Sequence, residues 1–463
     1  MSINQLIDIG RRSFRALSGA MNTVSQNVAN ANTEGYTRRR LMLQADSLTS
    51  SGLIIYTPHG TATGTGVSVQ SYERVRDGLL TAAAWDAQTA LGAAQEDQRL
   101  LGSLEGIFPA GAGSLGNQLN DFWNAWTDLA DRPTDNAARL ALRSTAQGLA
   151  STLNRTDEAL SFLEAGTTAA LTSGVETVNA SLREIGELNA RIQAARQSGS
   201  PDLVAEDRRD QLVKELSAFA PVRVQDDDKT GYSISIDGMQ VVQREHVVEF
   251  DLDTSGPTPR LFYGDSQVEY TAASGDDGKL GATLRMVGQT LPNTRQALDD
   301  LTAALVTEVN ALHTTGYGTD GGTGRDFFEP GALAAGSIRL SADVLGDIQT
   351  IAASGDPTAQ GDNAVALGIA GLRTRALLNG GTDTIEDFAT NLVAGVGADL
   401  HKASTRAAGQ AAVVDHLIGL EKGVSGVSLD EEMTNLIQYQ QAFAATARVI
   451  DTAQVMMDTL LAL

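Results

Sequence analysis

Two stretches of heptad periodicity, one at each end of the chain, constrain the fold more than anything between them. From the N-terminus Ile3, Ile7, Gly10, Phe14, Leu17, Met21, Val24 and Val28 follow a 4-3-4-3 spacing that one glycine interrupts. At the other end Leu429, Met433, Leu436, Gln440, Phe443, Ala447, Ile450, Gln454, Met457 and Leu461 keep the same spacing, with Gln440 and Gln454 breaking the seam. The pattern predicts helices roughly 40 and 50 Å long, matched enough to pair as a terminal coiled coil over residues 1–40 and 425–463. Such a pair has an energetic problem. Burying one narrow stripe offsets little of the entropy lost in ordering each backbone. Both ends therefore need further surface, from their own core or from neighbouring subunits, and periodicity does not choose between these.

The helical theme continues inward. Leu142, Ala146, Leu149, Leu153, Thr156, Leu160 and Leu163 form one heptad run, and Val175, Val178, Leu182, Ile185 and Ile192 another. Leu298, Leu301, Leu305, Val309 and Leu312 make a third stripe, and residues 385–420 read as a further helix. Trp123 and Trp126, three apart, read as core. Long helices with only 5% aromatic residues describe an elongated bundle better than a compact enzyme. After Pro221 the pattern changes to short runs rich in Val, Ile, Tyr and Phe: 233–236, 240–243, 247–252, 260–263 and 267–270. Asp237-Gly238 and Gly264-Asp265 sit between runs as tight turns. The fold expected is mainly α, with a self-contained antiparallel β unit at 225–274 inserted in a helical core of 41–224 and 275–424. Residues 337–351, after a Gly-rich loop, read as a second β region.

Composition removes whole classes of function. Against 34 Lys and Arg stand 57 Asp and Glu, a net charge of −23, which excludes a general binder of nucleic acid. Without cysteine there are no disulfides, thiolate metal sites or thiol catalysis. The histidines, at 59, 246, 313, 401 and 416, lie far apart, and no apolar run approaches a membrane span. Neither a zincin, a nucleophile-elbow nor a phosphate-loop motif occurs. Asp226–Gly231 has the acidic start and sixth-position glycine of a calcium loop, but Thr230 and Asp237 stand at ligand positions and strands flank it. It reads as an acidic hairpin approach. Thr314–Glu329, with Asp320, Asp326 and Glu329 among its glycines, reads as a flexible connection. Neither catalytic, cofactor-binding nor metal residues are nominated.

The first forty residues carry six arginines (11, 12, 15, 38, 39 and 40) against Asp8 and Glu34, a pattern shared with organellar transit peptides. Arg38-Arg39-Arg40 reads as solvated. No apolar segment of a secretory signal follows a basic start, so export, if it occurs, is expected to remove nothing.

At Ser25–Arg38 the helix runs out in SQNVANANTEGYTR, where Asn27, Asn30 and Asn32 compete for backbone hydrogen bonds and Gly35 permits positive φ. This string, ending in Gly35-Tyr36-Thr37-Arg38, resembles the N-terminal signature of bacterial flagellar axial proteins, the rod, hook and hook-associated family. Gly426–Leu461, with its Gln440-Gln441 pair, is similar to the matching C-terminal helix. Further matches are Gly64–Val67 with Arg74 and Asp77, Leu129–Arg139, Asp207–Leu216, Thr290–Arg295 and Gly316–Phe328, spread over nearly the whole chain. They resemble the hook-associated branch, and the outer part is smaller here than in longer members.

The resemblance implies a structural, non-enzymatic component of the flagellum at the hook–filament junction. It implies termini that fold on assembly, which makes residues 1–40 part of the mature protein rather than a discarded leader. Implied partners are further copies of the chain, the hook protein, a second hook-associated junction protein, and an export chaperone on the C-terminal helix. Type III export from the cytoplasm to the flagellum is implied with them. The assembly interface would be Ile3, Ile7, Phe14, Leu17, Met21, Val24 and Val28 with Leu436, Phe443, Ile450, Met457 and Leu461. Rival readings are another axial protein, an enzyme with axial-type ends, and a surface adhesin built on the β unit. The second junction protein would carry an Ala-Ser-Asp-Asp-Pro core that is absent here, and no catalytic constellation stands between residues 80 and 425.

Overall fold

A computed structural model describes residues 3–462 apart from 34, 46–65, 110, 112, 228–230, 265, 267, 273 and 274. Gly64 and Thr65 of one family match, Asp228–Thr230 of the calcium-like loop, Asp265 of the second turn, and His59 and Glu34 lie outside the described residues. In chain order come α1 (Ile3–Ala29), β1 (Arg39–Ala45), β2 (Val67–Arg74), α2 (Gly78–Glu105), α3 (Leu115–Asp131), α4 (Asn136–Gln197) and α5 (Leu203–Ser217). Six short strands follow: β3 (Val222–Asp227), β4 (Gly231–Ile236), β5 (Met239–Gln243), β6 (His246–Val247), β7 (Phe250–Asp253) and β8 (Arg260–Tyr263). The rest is α6 (Gly278–Arg285), α7 (Leu291–His313), α8 (Ala342–Gly346), α9 (Ala364–Ala370), α10 (Ile385–Ser425) and α11 (Leu429–Leu461). The fold is mainly α, with long C-terminal helices and small antiparallel sheets. It is also extended: the chain exposes 23662 Å², whereas a compact monomer of its 48.5 kDa would expose about 16,600 Å².

The two central heptad runs are one helix. α4 spans 62 residues, roughly 93 Å, from an Asp135 cap whose carboxylate accepts from the Ala137 N–H. Its first half (Leu142, Leu149, Leu153, Leu160) enters a core with α3, α7 and α9, in which Phe122, Trp123, Trp126, Phe327 and Phe328 are buried. Its second half (Leu171, Val175, Val178, Leu182, Ile185) enters another with α5 and the strands. Between α6 and α7 lies a π-helical turn, Met286–Thr290. Pro292 accounts for it, since proline has no N–H to bond the carbonyl four residues back and its ring clashes there.

The strands form a meander β3-β4-β5-β6 and a separate β7–β8 pair. Asp237 (φ 47°) and Gly238 (φ 80°) make the type I′ turn expected of Asp-Gly. Gln267 lies outside the described residues and 268–270 form no strand; Glu269 makes a single bridge to Phe262, beside Gly264 at φ 55°. Nor is the unit self-contained: Tyr232, Ile234, Ile236, Phe250, Leu261 and Tyr263 share one core with α4 and α5. The second β region is likewise not one. Residues 342–346 are helical and 348–350 a 3₁₀ turn, capped by Ser341 and Asp347, whose side chains compete successfully for the backbone.

The Gly-rich segment 314–329 is pinned rather than flexible. The Asn310 carboxamide accepts from Phe327 N–H (3.0 Å) and Phe328 N–H (2.9 Å) and donates to the Phe328 carbonyl (2.9 Å). Asp320 accepts from Gly322 N–H and pairs with Arg325 at 2.5 Å. His313, 1% exposed, accepts at Nε2 from Ala352 N–H (2.9 Å), so its Nδ1 carries the proton and donates to the Arg325 carbonyl (2.7 Å).

Candidate assembly surface

α1 and α11 lie side by side and antiparallel. Phe14 meets Phe443 edge to face with ring centroids 4.5 Å apart, and Asn27 meets Glu432. Gly10, the break in the first seam, sits under Ile450; a Cβ there would stand 2.5 Å from its side chain. The glycine is a notch cut for one isoleucine.

The inner face of α11 is not quite the stripe that apolarity selects. Leu436, Ile450 and Met457 are half-buried, Phe443 lies just at the exposed limit beside Phe14, and Leu461 is exposed. The alternate inner positions are Glu432, Tyr439, Thr446 and Ala453, one residue from Met433, Gln440, Ala447 and Gln454, all of which face outward. A buried carboxylate among small and polar side chains gives no apolar periodicity, which is why reading by hydrophobicity takes the neighbouring phase. On α1, Val24 is buried and Ile3, Ile7, Phe14, Leu17, Met21 and Val28 are half-buried. A second face of α1 carries the β1–β2 hairpin. A Cβ at Gly19 would meet Tyr72 Oη at 3.2 Å and Leu41 at 3.6 Å, and Ala16, Ala20 and Thr23 are buried beside it.

The asparagine-rich exit is a polar hub. Asn27, 1% exposed, donates to the Arg39 carbonyl (2.9 Å) and to Glu432 Oε2 (3.1 Å). Its carbonyl accepts from the Tyr36 hydroxyl (2.8 Å) and Arg39 N–H (3.0 Å). Glu432, 2% exposed, takes Arg38 Nε on its other oxygen at 2.8 Å, and Arg38 also reaches Glu431 at 2.9 Å. Burial raises the Tyr36 phenol above its usual range, so it stays a donor. Asn30 closes the helix end by bonding Gln26 O, Asn32 lies on the surface, and Gly35 adopts φ 77°.

The arginines expected to be solvated are mostly paired. Arg38 binds α11, and Arg39 reaches Asp207 on α5 at 3.1 Å; Arg40 is exposed. Arg74, across the hairpin from Arg39, meets Glu206 (3.0 Å), Asp207 (3.1 Å) and Asp210 (2.7 Å), and Arg76 adds a second contact to Asp210. Carboxylates that close hold Arg74 fully charged despite burial, its pKa pushed further above the ordinary value. Asp207 is raised, because its burial outweighs the two arginines. Arg209, between them in sequence, points inward: it donates to Asn189 (3.0 Å) and lies 3.5 Å from the Tyr232 ring centroid. Backbone bonds lace the same waist, Arg38 N–H to Ser425 O and Val75 N–H to Arg38 O. A cleft of about 870 Å³ opens there between Tyr36, Trp85, Gln211, Ile418 and Gly426.

The other family-like strings also prove to be fastenings. Asp77 caps α2. Arg139, 1% exposed, donates to the carbonyls of Pro133 and Ile351. Arg295 joins α7 to α4 through Asp157 (3.1 Å) and Glu164 (2.8 Å). Among the described residues no cluster of carboxylates and histidines could hold a metal, and no helix is long and apolar enough to cross a membrane.

Three family models match this architecture: "flagella basal body rod protein" over residues 7–37, "flagellar hook-associated protein FlgK helical domain" over 101–328, and "flagellar basal body rod FlgEFG protein C-terminal" over 424–463. Rod-protein ends paired beside a hook-associated helical body define a flagellar axial protein. Full-length relatives are more specific. Flagellar hook-associated protein 1 of Bacillus subtilis is 27% identical over 98% of this chain and 96% of its own, and that of Salmonella typhimurium 27% identical over 99% and 100%. The flagellar hook junction protein FlgK of Burkholderia pseudomallei shares the fold, with TM-score 0.67 over 74% of this chain and all of its own at 15% identity. The chain belongs to the FlgK family of flagellar hook-associated proteins.

Proposed function

We propose that the chain is a non-enzymatic adaptor that polymerises at the distal end of the hook and connects it to the filament. The exposed face of α11 carries this reading. With one side against α1, the helix still presents Met433, Ile437, Val449, Val455, Met456 and Leu460 to solvent, each about half exposed or more. A helix apolar on opposite sides is suited to burial from both. Neighbouring copies, the hook protein and a second hook-associated junction protein would supply the missing cover. Residues 1–40 with 425–463 would then be the polymerising domain, 41–224 with 275–424 its helical support, and 225–274 an outer β unit. The pair formed by Ile3, Ile7, Phe14, Leu17, Met21, Val24 and Val28 with Leu436, Phe443, Ile450 and Met457 shapes that surface, and Leu461 joins it directly.

The same exposed stripe would require a chaperone in the cytoplasm before type III export, by helix-in-groove recognition. The names of the relatives, hook-associated and hook junction proteins, support the location. The test is a deletion strain examined by electron microscopy and by analysis of its medium. Hooks without filaments and monomeric flagellin in the medium are expected. Normal filaments would overturn the reading.

A further inference from the structure

We infer that the buried Asn27–Glu432–Arg38 cluster is a register lock, the feature that fixes how far α11 stands along α1. Apolar seams alone specify register poorly. On α1, Ile3, Gly10, Leu17 and Val24 recur every seven residues, as do Ile7, Phe14, Met21 and Val28, and on α11 Leu436, Phe443, Ile450 and Met457 do the same. Sliding one helix by a heptad, roughly 10 Å, would keep apolar against apolar almost throughout. The connection from α1 to β1 is nine residues long (30–38) and contains Gly35 at φ 77°, so the chain itself leaves slack of that order.

Besides the hairpin packed on the other face of α1, two features of the seam itself resist the slide. Ile450 would lose its notch at Gly10, a packing mismatch that rotamers partly absorb. Glu432 would lose Asn27 at 3.1 Å and keep only Arg38, whose N–H is tied to Ser425 beside α11, so a buried carboxylate and the buried Asn27 carboxamide would each lack a partner. The second penalty is the larger. Charge placed once in a repeating apolar seam marks a single alignment, as a lone buried polar residue does in coiled coils generally.

The consequence for assembly, which rests on the proposed function, is that the outward residues Met433, Ile437 and Val455 stand at a fixed height. A heptad slip would move that stripe by roughly 10 Å without rotating it, out of step with neighbouring copies.

The chain has no cysteine, so introduced pairs report register without background. Gly10→Cys with Ile450→Cys reports the observed alignment, since the side chain of Ile450 already reaches within 2.5 Å of a Cβ at Gly10. Gly10→Cys with Phe443→Cys, or with Met457→Cys, reports a slip of one heptad either way. Every pair fills the notch at Gly10 but only the first also removes Ile450, so the effect of the polar cluster is read as the change its variants make within each pair. In the otherwise unchanged full-length chain, oxidation should favour the observed pair by roughly tenfold or more. With Asn27→Leu and Glu432→Leu together, that preference should fall to about threefold or less, while Glu432→Gln, which can accept only one of the two donors where they stand, should fall between the two. A preference that survives the double leucine variant overturns the inference, and so does its absence from the starting chain. Loss of every cross-link in the double variant would show that the cluster holds the helices together without aligning them, and overturns it too. Motility of the same strains reads the assembly reading separately: a lock confirmed by cross-linking in a chain whose slipped form still builds normal filaments would contradict only the consequence for assembly.

Discussion

His313 shows how much one buried side chain can add to the chemistry of a structural protein. Burial lowers its pKa to about 4, with the charges of Arg139 and Arg325 adding to the effect, while an unfolded chain titrates near 6.5. The unfolded state therefore takes up the proton first as pH falls. Stability should decline between pH 6.5 and about 4 by roughly 3 kcal/mol and level off below. His313→Gln keeps one donor and one acceptor but does not titrate there, so urea midpoints at pH 7, 5 and 4 should lose that share of the slope. An unchanged slope would place the acid sensitivity elsewhere. Arg74 is the other decisive residue. Its side chain is 6% exposed among three carboxylates, and Arg74→Met should cost about 1–3 kcal/mol because each acid loses one of its two cations and keeps only Arg196, Arg39 or Arg76. Equilibrium unfolding would measure it.

Among elements, close approach decides more than propensity. α2 passes α5 at Gly92, where a Cβ would stand 2.2 Å from the Ala218 carbonyl oxygen. Gly92→Ala should destabilise by about 1–3 kcal/mol in a thermal melt, because the obstacle is backbone and cannot rotate away. Gly166→Ala on α4, with nothing within 4 Å, should instead stabilise by roughly 0.5–1 kcal/mol through helix propensity alone. If both changes moved the melt in one direction, packing would not be the cause. On α11, Phe443→Asp and Ile450→Asp place a charge against α1, while Asp430→Asn changes an exposed position. On the proposed function, the first two should shorten filaments and weaken capture by the proposed export chaperone, and the third should do neither. Motility halos and a pull-down would read the two effects separately.

At the scale of the whole molecule, α4 is the spine that joins two cores, and the β unit completes one of them. Replacing residues 225–274 with a Gly/Ser linker would uncover Val175, Val178, Leu182 and Ile185. The expected outcome is an earlier melting transition of the full chain by circular dichroism, with loss of helix from the second half of α4. Melting at the original temperature would mean that α4 and α5 bury that surface without the strands. The waist is the other large-scale feature. Arg39, Arg74 and Arg76 tie the hairpin, and with it the terminal pair, to the acids of α5, and three chain segments cross there under backbone hydrogen bonds.

Local pattern settled the terminal helices, the heptads of α4, the Asp237-Gly238 hairpin and the burial of Trp123 and Trp126, because apolar period and turn chemistry act within a few residues and leave a direct trace. The family strings were equally legible, though not the work their residues do. Asp207, Arg209 and Asp210 stood out only as part of a family-like string, yet one faces the hairpin arginines, one the Tyr232 ring and one both Arg74 and Arg76. Only the tertiary structure joined the two runs of α4, merged the β unit with its supporting helices and moved the inner phase of α11 by one residue. The reason is the same in each case. A buried polar or small residue is stabilised by partners hundreds of positions away, as Glu432 is by Asn27 and Arg38, and such a partnership leaves no periodic mark on the sequence that makes it.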